Sequence, residues 1–342
     1  MEEEEEEEIE GKGDEVMSEV HLGCPPHLQG PYISHFTFPL PSSTAICRHN
    51  DQLQVEAPSS QLLSLDDDGD LVLSRRKNDS SNCLNCSLMI QHTVTSSLPN
   101  VGLQVWLAAL VLADFVLYKS FNSSDFNGIT ALELGAGTGL VGTVLALVAR
   151  SVFVTDTGAD ILDNCAANPQ LNARLLNDHT TDVRVRELDW QEPWPPRVQT
   201  CTSPSQRSRY SWTSSEIEEA EGATILLAAD VIYSDELTDS FFSVLERLMS
   251  RGSEKILYLA LEKRYNFSLD DLEVVANGYA HFRSFLKDEE EHEKLGAEGL
   301  SSFIGKQLDL GQIPQYIREY ERGNNVELWK ITYCPMKCSL IT

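Results

Sequence analysis

The sequence predicts a doubly wound α/β fold: a seven-stranded sheet, mostly parallel with an antiparallel last strand, covered by helices on both faces. Three observations carry this expectation. Apolar runs of strand length alternate with stretches of helical length between positions 129 and 261, the pattern of successive βαβ units. The segment TALELGAGTGL at 130–140 reads as a buried strand passing through a glycine hinge straight into a helix. At 342 residues and 42% hydrophobic, the chain can bury one α/β core of about 200 to 250 residues and leave about 100 over.

Residues 1–87 form an acidic region expected to be mostly disordered. Met1 is followed by seven glutamates, DDDGD occupies 66–70, and Pro25, Pro26, Pro39 and Pro41 with serine clusters interrupt any sustained apolar period. Order is expected from about Leu88, in a domain over 88–336 that leaves a tail at 337–342. Residues 101–118 are strong helix formers whose polar members are Gln104 and Asp114, so this helix should be largely buried. Strands follow at 129–134, 152–155, 183–185, 224–229 and 256–261, with helices at 139–149 and 159–168 and a third, N-capped by Ser234, running to Met249. Residues 269–292 look helical, 303–310 reads as a sixth strand, and 326–333 as a seventh, antiparallel one formed by a final hairpin. The insertion at 191–222, rich in Pro, Ser, Thr and Arg, is expected to be a mobile surface loop beside the cleft.

Charge and cysteines narrow the function classes. The net charge is −27, of which −13 falls within residues 1–90, so direct binding to a nucleic-acid backbone is disfavoured. The acidic runs read as solvated tails before they read as docking sites for basic partners. The apolar stretch at 105–118 is interrupted by Asp114 and falls short of the roughly 20 residues that span a bilayer, so a soluble protein with no membrane partner is expected. A run of glutamates after Met1 is the reverse of a secretory leader. Eight cysteines suit a reduced intracellular compartment without disulfides. Cys83 and Cys86 form a lone CxxC without a second pair, read as thiols and not as a metal centre.

The hinge itself selects among cofactors. A dinucleotide fingerprint spaces its glycines GxGxxG, whereas here the third glycine, Gly139, comes one residue early and Leu140 occupies the required position. Glu133, two residues before Gly135, would repel a pyrophosphate and attract an ammonium or sulfonium ligand. Gly135, Ala136 and Gly137 let such a ligand approach the backbone and the next helix N-terminus. The ligand suggested is S-adenosyl-L-methionine; the competing reading is a turn that only lets strand and helix pack.

Further candidates lie at the carboxyl edge of the sheet, where doubly wound folds bind ligands. Asp156 ends the second strand, where a carboxylate meets the ribose hydroxyls of a nucleoside, a role the glycine hinge favours over the plainer one of capping the helix at Ala159. Asp189 and Trp190 follow the third strand and would supply an acceptor for an adenine amino group and an aromatic wall. Ala229 is small enough for a cofactor to lie against the backbone. Asp230 can hold a cationic amine and Tyr233 can orient it, against the plainer reading of a helix-cap pair. Trp106 reads equally as core or as a lid over the methionine end.

Taken together, Trp106 in VWLAAL, ELGAGTGL at 133–140, TD at 155–156, LDW at 188–190 and ADVIY at 229–233 resemble the seven-strand protein-lysine methyltransferases of family 16. LEKR at 261–264, the strand at 327–331 and an acidic leader resemble one subgroup within it. The resemblance covers about residues 88–333 and implies a Rossmann-like methyltransferase sheet. It implies that Trp106, Gly135 to Gly137, Asp156, Trp190 and Ala229 contact the cofactor, and that Asp230 and Tyr233 face the target lysine. It further implies a monomer acting on a lysine of a protein, with chaperones, elongation factors and nucleic-acid-associated proteins as family substrates. For this subgroup it implies a basic, nucleic-acid-binding nuclear substrate, with the nucleus as the compartment ahead of the cytoplasm.

Three function classes compete with this one. A nucleic-acid amino-methyltransferase would need an Asn/Asp-Pro-Pro-aromatic loop to stack a flipped base, and this chain has DVIY at 230–233 instead. A small-molecule methyltransferase would use the same cofactor residues, and so would a catalytically silent cofactor-binding scaffold.

Overall fold

The computed structural model describes residues 15–21, 30–40, 85–176, 181–198, 209–268, 273–288 and 302–335. Its centre is an eight-stranded sheet made of β5 (Thr130–Leu134), β6 (Ser151–Asp156), β7 (Asp182–Glu187), β8 (Ile225–Ala229), β9 (Ile256–Glu262), β12 (Leu286–Lys287), β13 (Ser302–Leu308) and β14 (Val326–Cys334). Across the sheet the strands follow the order β12-β13-β14-β9-β8-β5-β6-β7. β5 to β9 are parallel, and β14 runs antiparallel to both β9 and β13. The predicted architecture is therefore present, with the two-residue β12 added at one edge.

Both faces are covered because both faces of the central strands are apolar. All five residues of β5 are buried, with Ala131 joining one core and Leu132 and Leu134 the other. On the first face lie α1 (Leu107–Asn122), α2 (Leu140–Leu145) and α3 (Ala159–Leu171); on the second lie α5 (Ser214–Glu221), α6 (Asp235–Met249) and α7 (Asn277–Ser284). A single-turn helix, α4 (Ala173–Leu176), follows α3. Leu98–Asn122 has the length and hydropathy of a membrane span, yet α1 is buried from Leu107 to Leu117 except at Ala109, as a core helix on the sheet. The expected helix at 101–118 thus begins later, after a 3-10 turn at Leu98–Leu103. Ser234 caps α6 as the sequence predicts.

Three expectations need correction. Order begins well before Leu88: β1 (Glu15–Met17) pairs with β4 (Thr95–Ser97), and β2 (Tyr32–Pro39) pairs with β3 (Asn85–His92). Phe36, Phe38 and Leu40 are buried there, and α3 clamps β3 by accepting the Gln91 and Met89 amides on Asn168 (2.6 Å) and Asn172 (2.9 Å). An alternating FTF segment among prolines hid this strand; the acidic runs at 2–8 and 66–70 lie outside the described residues. The insertion is anchored at both ends: Trp194 and Trp212 are buried and pack edge to face at 5.5 Å, with Trp212 stacked on Phe153 at 5.3 Å. After them, Thr213 and Glu216 close a capping box on α5; 199–208 lies outside the described residues. Finally, 269–292 is not one helix, because β10 (Asn266–Ser268) and β11 (Glu273–Val275) form a small antiparallel pair ahead of α7.

Candidate active site

The hinge between β5 and α2 takes the left-handed conformation three times, with φ of 64° at Gly135, 53° at Gly137 and 70° at Gly139. Side chains resist this region, and space forbids them too. A Cβ on Gly137 would stand 2.8 Å from the Gly102 carbonyl oxygen, and one on Gly135 would stand 2.7 Å from Val231 Cγ1. Asp156, at the end of β6, locks the turn: its Oδ2 accepts the Gly137 amide at 2.7 Å while Oδ1 accepts the Thr157 amide at 2.7 Å. Burial raises its pKa against those bonds. Each oxygen retains acceptor capacity for a ligand hydroxyl.

Glu133 is almost fully buried, and its Oε2 accepts the Gly142 amide at 2.8 Å. It thereby ties β5 to α2; a Cβ on Gly142 would stand 2.5 Å from that oxygen. Burial pushes its pKa up to about 8. A group that keeps its proton near neutrality is a weaker attractor for a cation than the ionised carboxylate that the sequence suggests.

A cleft of about 160 Å³ opens beside the hinge, and it brings all the sequence-predicted residues together: Trp106, Glu133, Gly135, Ala136, Gly137, Asp156, Asp189, Trp190, Ala229, Asp230 and Tyr233 all line it. Asp189 accepts the Gln191 amide at 2.9 Å. Trp190 packs edge-on against Phe241 at 5.1 Å and lies over Gly135. Trp106 anchors its indole N–H on the Val101 carbonyl at 3.0 Å. The lining of the cleft fits S-adenosylmethionine in its chemistry: a Cβ-free cradle that would allow close backbone approach, the Asp156 carboxylate that would accept from ribose hydroxyls, and Asp189 with Trp190 that would supply an acceptor and an aromatic wall for the base.

At the other end, Asp230 has a φ of 57°, among the described residues the only non-glycine value in that region. Asp tolerates this better than most residues. Its buried carboxylate pairs with Arg264 and accepts the Glu262 amide at 3.4 Å. Burial raises its pKa, opposed by the Arg264 charge. Arg264 in turn stacks over the Trp106 ring at 5.1 Å. Tyr233 stands half-exposed at the rim. Sequence reasoning missed Arg264 and Glu262 as functional groups, although LEKR spans the carboxyl end of β9. It also missed Gly102, whose carbonyl closes the hinge, and Glu19, whose charge acts on Asp230, Glu262 and Arg264. A glycine inside an apolar stretch was the one signal for Gly102, and nothing local signals Glu19. Among the described residues no group of His, Cys, Asp and Glu is placed to hold a metal; Cys83 lies outside them, and Cys86 is buried on β3.

Methyltransferase-like protein 22 of Homo sapiens is 41% identical over 251 residues, covering 73% of this chain and 58% of that protein. The Mus musculus protein of the same name is 39% identical over 255 residues, covering 74% and 61%. Protein-lysine N-methyltransferase EEF2KMT of Mus musculus is 31% identical over 186 residues, covering 52% and 49%. The chain therefore spans about three fifths of the length of the first two relatives. A family described as lysine methyltransferase matches residues 85–276, more than half of the sequence. The chain belongs to the lysine methyltransferase family, with S-adenosylmethionine as its cofactor.

Proposed function

We propose that this chain transfers a methyl group from S-adenosylmethionine to the side-chain nitrogen of a lysine in another protein. The observation that carries the reading is a single cleft with two distinct ends: a glycine cradle with Asp156 and Asp189 at one, and at the other a rim where the half-exposed Tyr233 stands beside the Asp230–Arg264 pair. When bound, the cofactor supplies an electrophilic methyl group on a sulfonium. The chain's own residues hold and align. Transfer is in-line at about 3 Å, so positioning contributes more than acid or base strength. The lysine must arrive neutral, which from a free pKa of about 10.4 costs roughly 4 to 5 kcal/mol at pH 7. Its proton goes to water at the open rim. Tyr233 orients the amine through its hydroxyl, while Asp230 fixes Arg264 against Trp106 and so shapes the methyl end.

The finer reading is a lysine on a basic, nucleic-acid-associated nuclear protein, acted on by a monomer. The net charge of −27 supports a basic partner; the family resemblance supports the nuclear compartment. Incubating the chain with tritiated cofactor and fractionated cell lysate tests it. Label on the lysine of a basic protein is expected. Label confined to RNA or to small molecules, or cofactor binding without any transfer, contradicts it.

A further inference from the structure

Beside the rim lies a second cavity of about 90 Å³, walled by Ile232, Tyr233, Leu261, Glu262, Arg264 and Tyr279. Tyr233 lines both this cavity and the cofactor cleft, and the Asp230–Arg264 pair joins them, since Asp230 lines the first and Arg264 the second. Its volume is about three times that of a water molecule. It has apolar walls for a methylene stem, one acidic group, Glu262, and one cation, Arg264, whose charge is met by Asp230.

Resting on the lysine-methyltransferase reading, we propose that Glu262, and not Asp230, is the carboxylate that receives the ammonium of the target lysine in this cavity.

Asp230 is committed: its carboxylate is held by Arg264 and by the Glu262 amide. Glu262 is committed only in part: its carboxyl shares a hydrogen bond with the Glu19 side chain, yet its Oε2 is buried and has no hydrogen-bond partner, a condition that buried polar atoms rarely tolerate. An ammonium carries three donors and would satisfy it with a charge-assisted bond.

The surrounding charges agree. Glu19, on the 3-10 turn Glu19–His21, acts on Glu262 together with Asp230, and Arg264 opposes them. Burial first, then the Glu19 charge, push the Glu262 pKa up to about 7. Lys263 does not compete, because it pairs with Glu327 at 2.8 Å and lies over the Tyr279 ring at 5.3 Å. A cation entering here relieves the repulsion between carboxylates and draws off the Glu262 proton. The N-terminal turn that brings Glu19 is itself fastened: the Ser18 amide donates to Gln104 Oε1 at 2.7 Å and the Ser18 hydroxyl to the Val105 carbonyl at 2.6 Å.

The test uses the full chain saturated with S-adenosylhomocysteine and n-butylammonium as a lysine side-chain probe, titrated by NMR. Saturable binding to the unsubstituted chain is expected, strengthening as pH rises through about 7. Glu262→Gln should weaken it by about tenfold or more, the loss of one charge-assisted bond, and abolish the pH dependence. Glu262→Asp, which keeps the charge, should retain part of the binding. Unchanged S-adenosylhomocysteine affinity in both variants shows that the fold is intact. Equal probe affinity in Glu262→Gln and the unsubstituted chain, or no probe binding to the latter, overturns the proposal. Glu262-dependent probe binding together with no methyl transfer to any protein lysine would instead defeat the enzymatic reading and leave the ammonium site standing.

Discussion

At the cofactor end of the cleft, the polar anchors come from the ends of three consecutive strands and the glycine turn between them, within residues 133–190. At the proposed lysine end, Glu19, Asp230 and the Glu262–Arg264 stretch arrive from three separate segments and are joined by charge. The first end is built from backbone shape, where glycines have no substitute because their φ is left-handed and a Cβ would meet the Gly102 carbonyl at 137 and packed side chains at 135 and 139. The second is built from ionised side chains, where one residue can change while its neighbours compensate. The contrast makes binding of the cofactor and recognition of the amine separable by mutation.

The largest effect should come from the rigid end. Gly137→Ala forces a left-handed residue and a contact at 2.8 Å with a carbonyl oxygen. It should weaken S-adenosylhomocysteine binding by roughly 3 kcal/mol, about a hundredfold, in calorimetry. Full affinity in this variant would break the distinction between the two ends.

Close behind is the buried Glu133. With its folded pKa raised to about 8 above an unfolded value near 4.5, the folded chain binds more protons than the unfolded chain between those values. Its contribution is most favourable below about pH 4.5 and is lost as pH rises toward 8. Urea unfolding should record a decline on the order of 3 kcal/mol from pH 5 to 8 from this group, and Glu133→Gln should flatten that part of the profile.

Arg264→Ala leaves the Asp230 carboxylate buried without its cation. A loss of about 2 kcal/mol in unfolding free energy is expected, below the fully buried case because Arg264 is a third exposed. S-adenosylhomocysteine affinity should fall less than in Gly137→Ala, since Arg264 reaches the cofactor cleft only through Asp230 and Trp106. The smallest effect falls outside the cleft. Thr213→Ala removes the α5 capping box and should cost about 1 kcal/mol, measurable by thermal unfolding; no change would mean that the anchored end of the insertion does not stabilise the sheet.

The same contrast explains what the sequence revealed. The alternation of strands and helices, the hinge and the carboxylate at the end of β6 were legible because each is a local pattern with one physical meaning. The hidden parts depended on long-range pairing. β2 is fastened by Asn168 and Asn172 from far along the chain, through its partner β3, and Trp194 and Trp212 bury themselves inside a segment whose composition signals a loop. Arg264 takes its meaning from Asp230, and Glu19 from both; neither spacing nor periodicity records such a partnership. Glu133 was legible as a cofactor-end residue, but its fully buried bond to Gly142 was not.

The central claim is methyl transfer to a lysine nitrogen. Its most direct measurement is acid hydrolysis of the tritium-labelled protein product followed by amino-acid chromatography. Label comigrating with Nε-methylated lysine, and lost with Gly137→Ala, is the predicted result; label on any other residue, or in nucleotides, would contradict it.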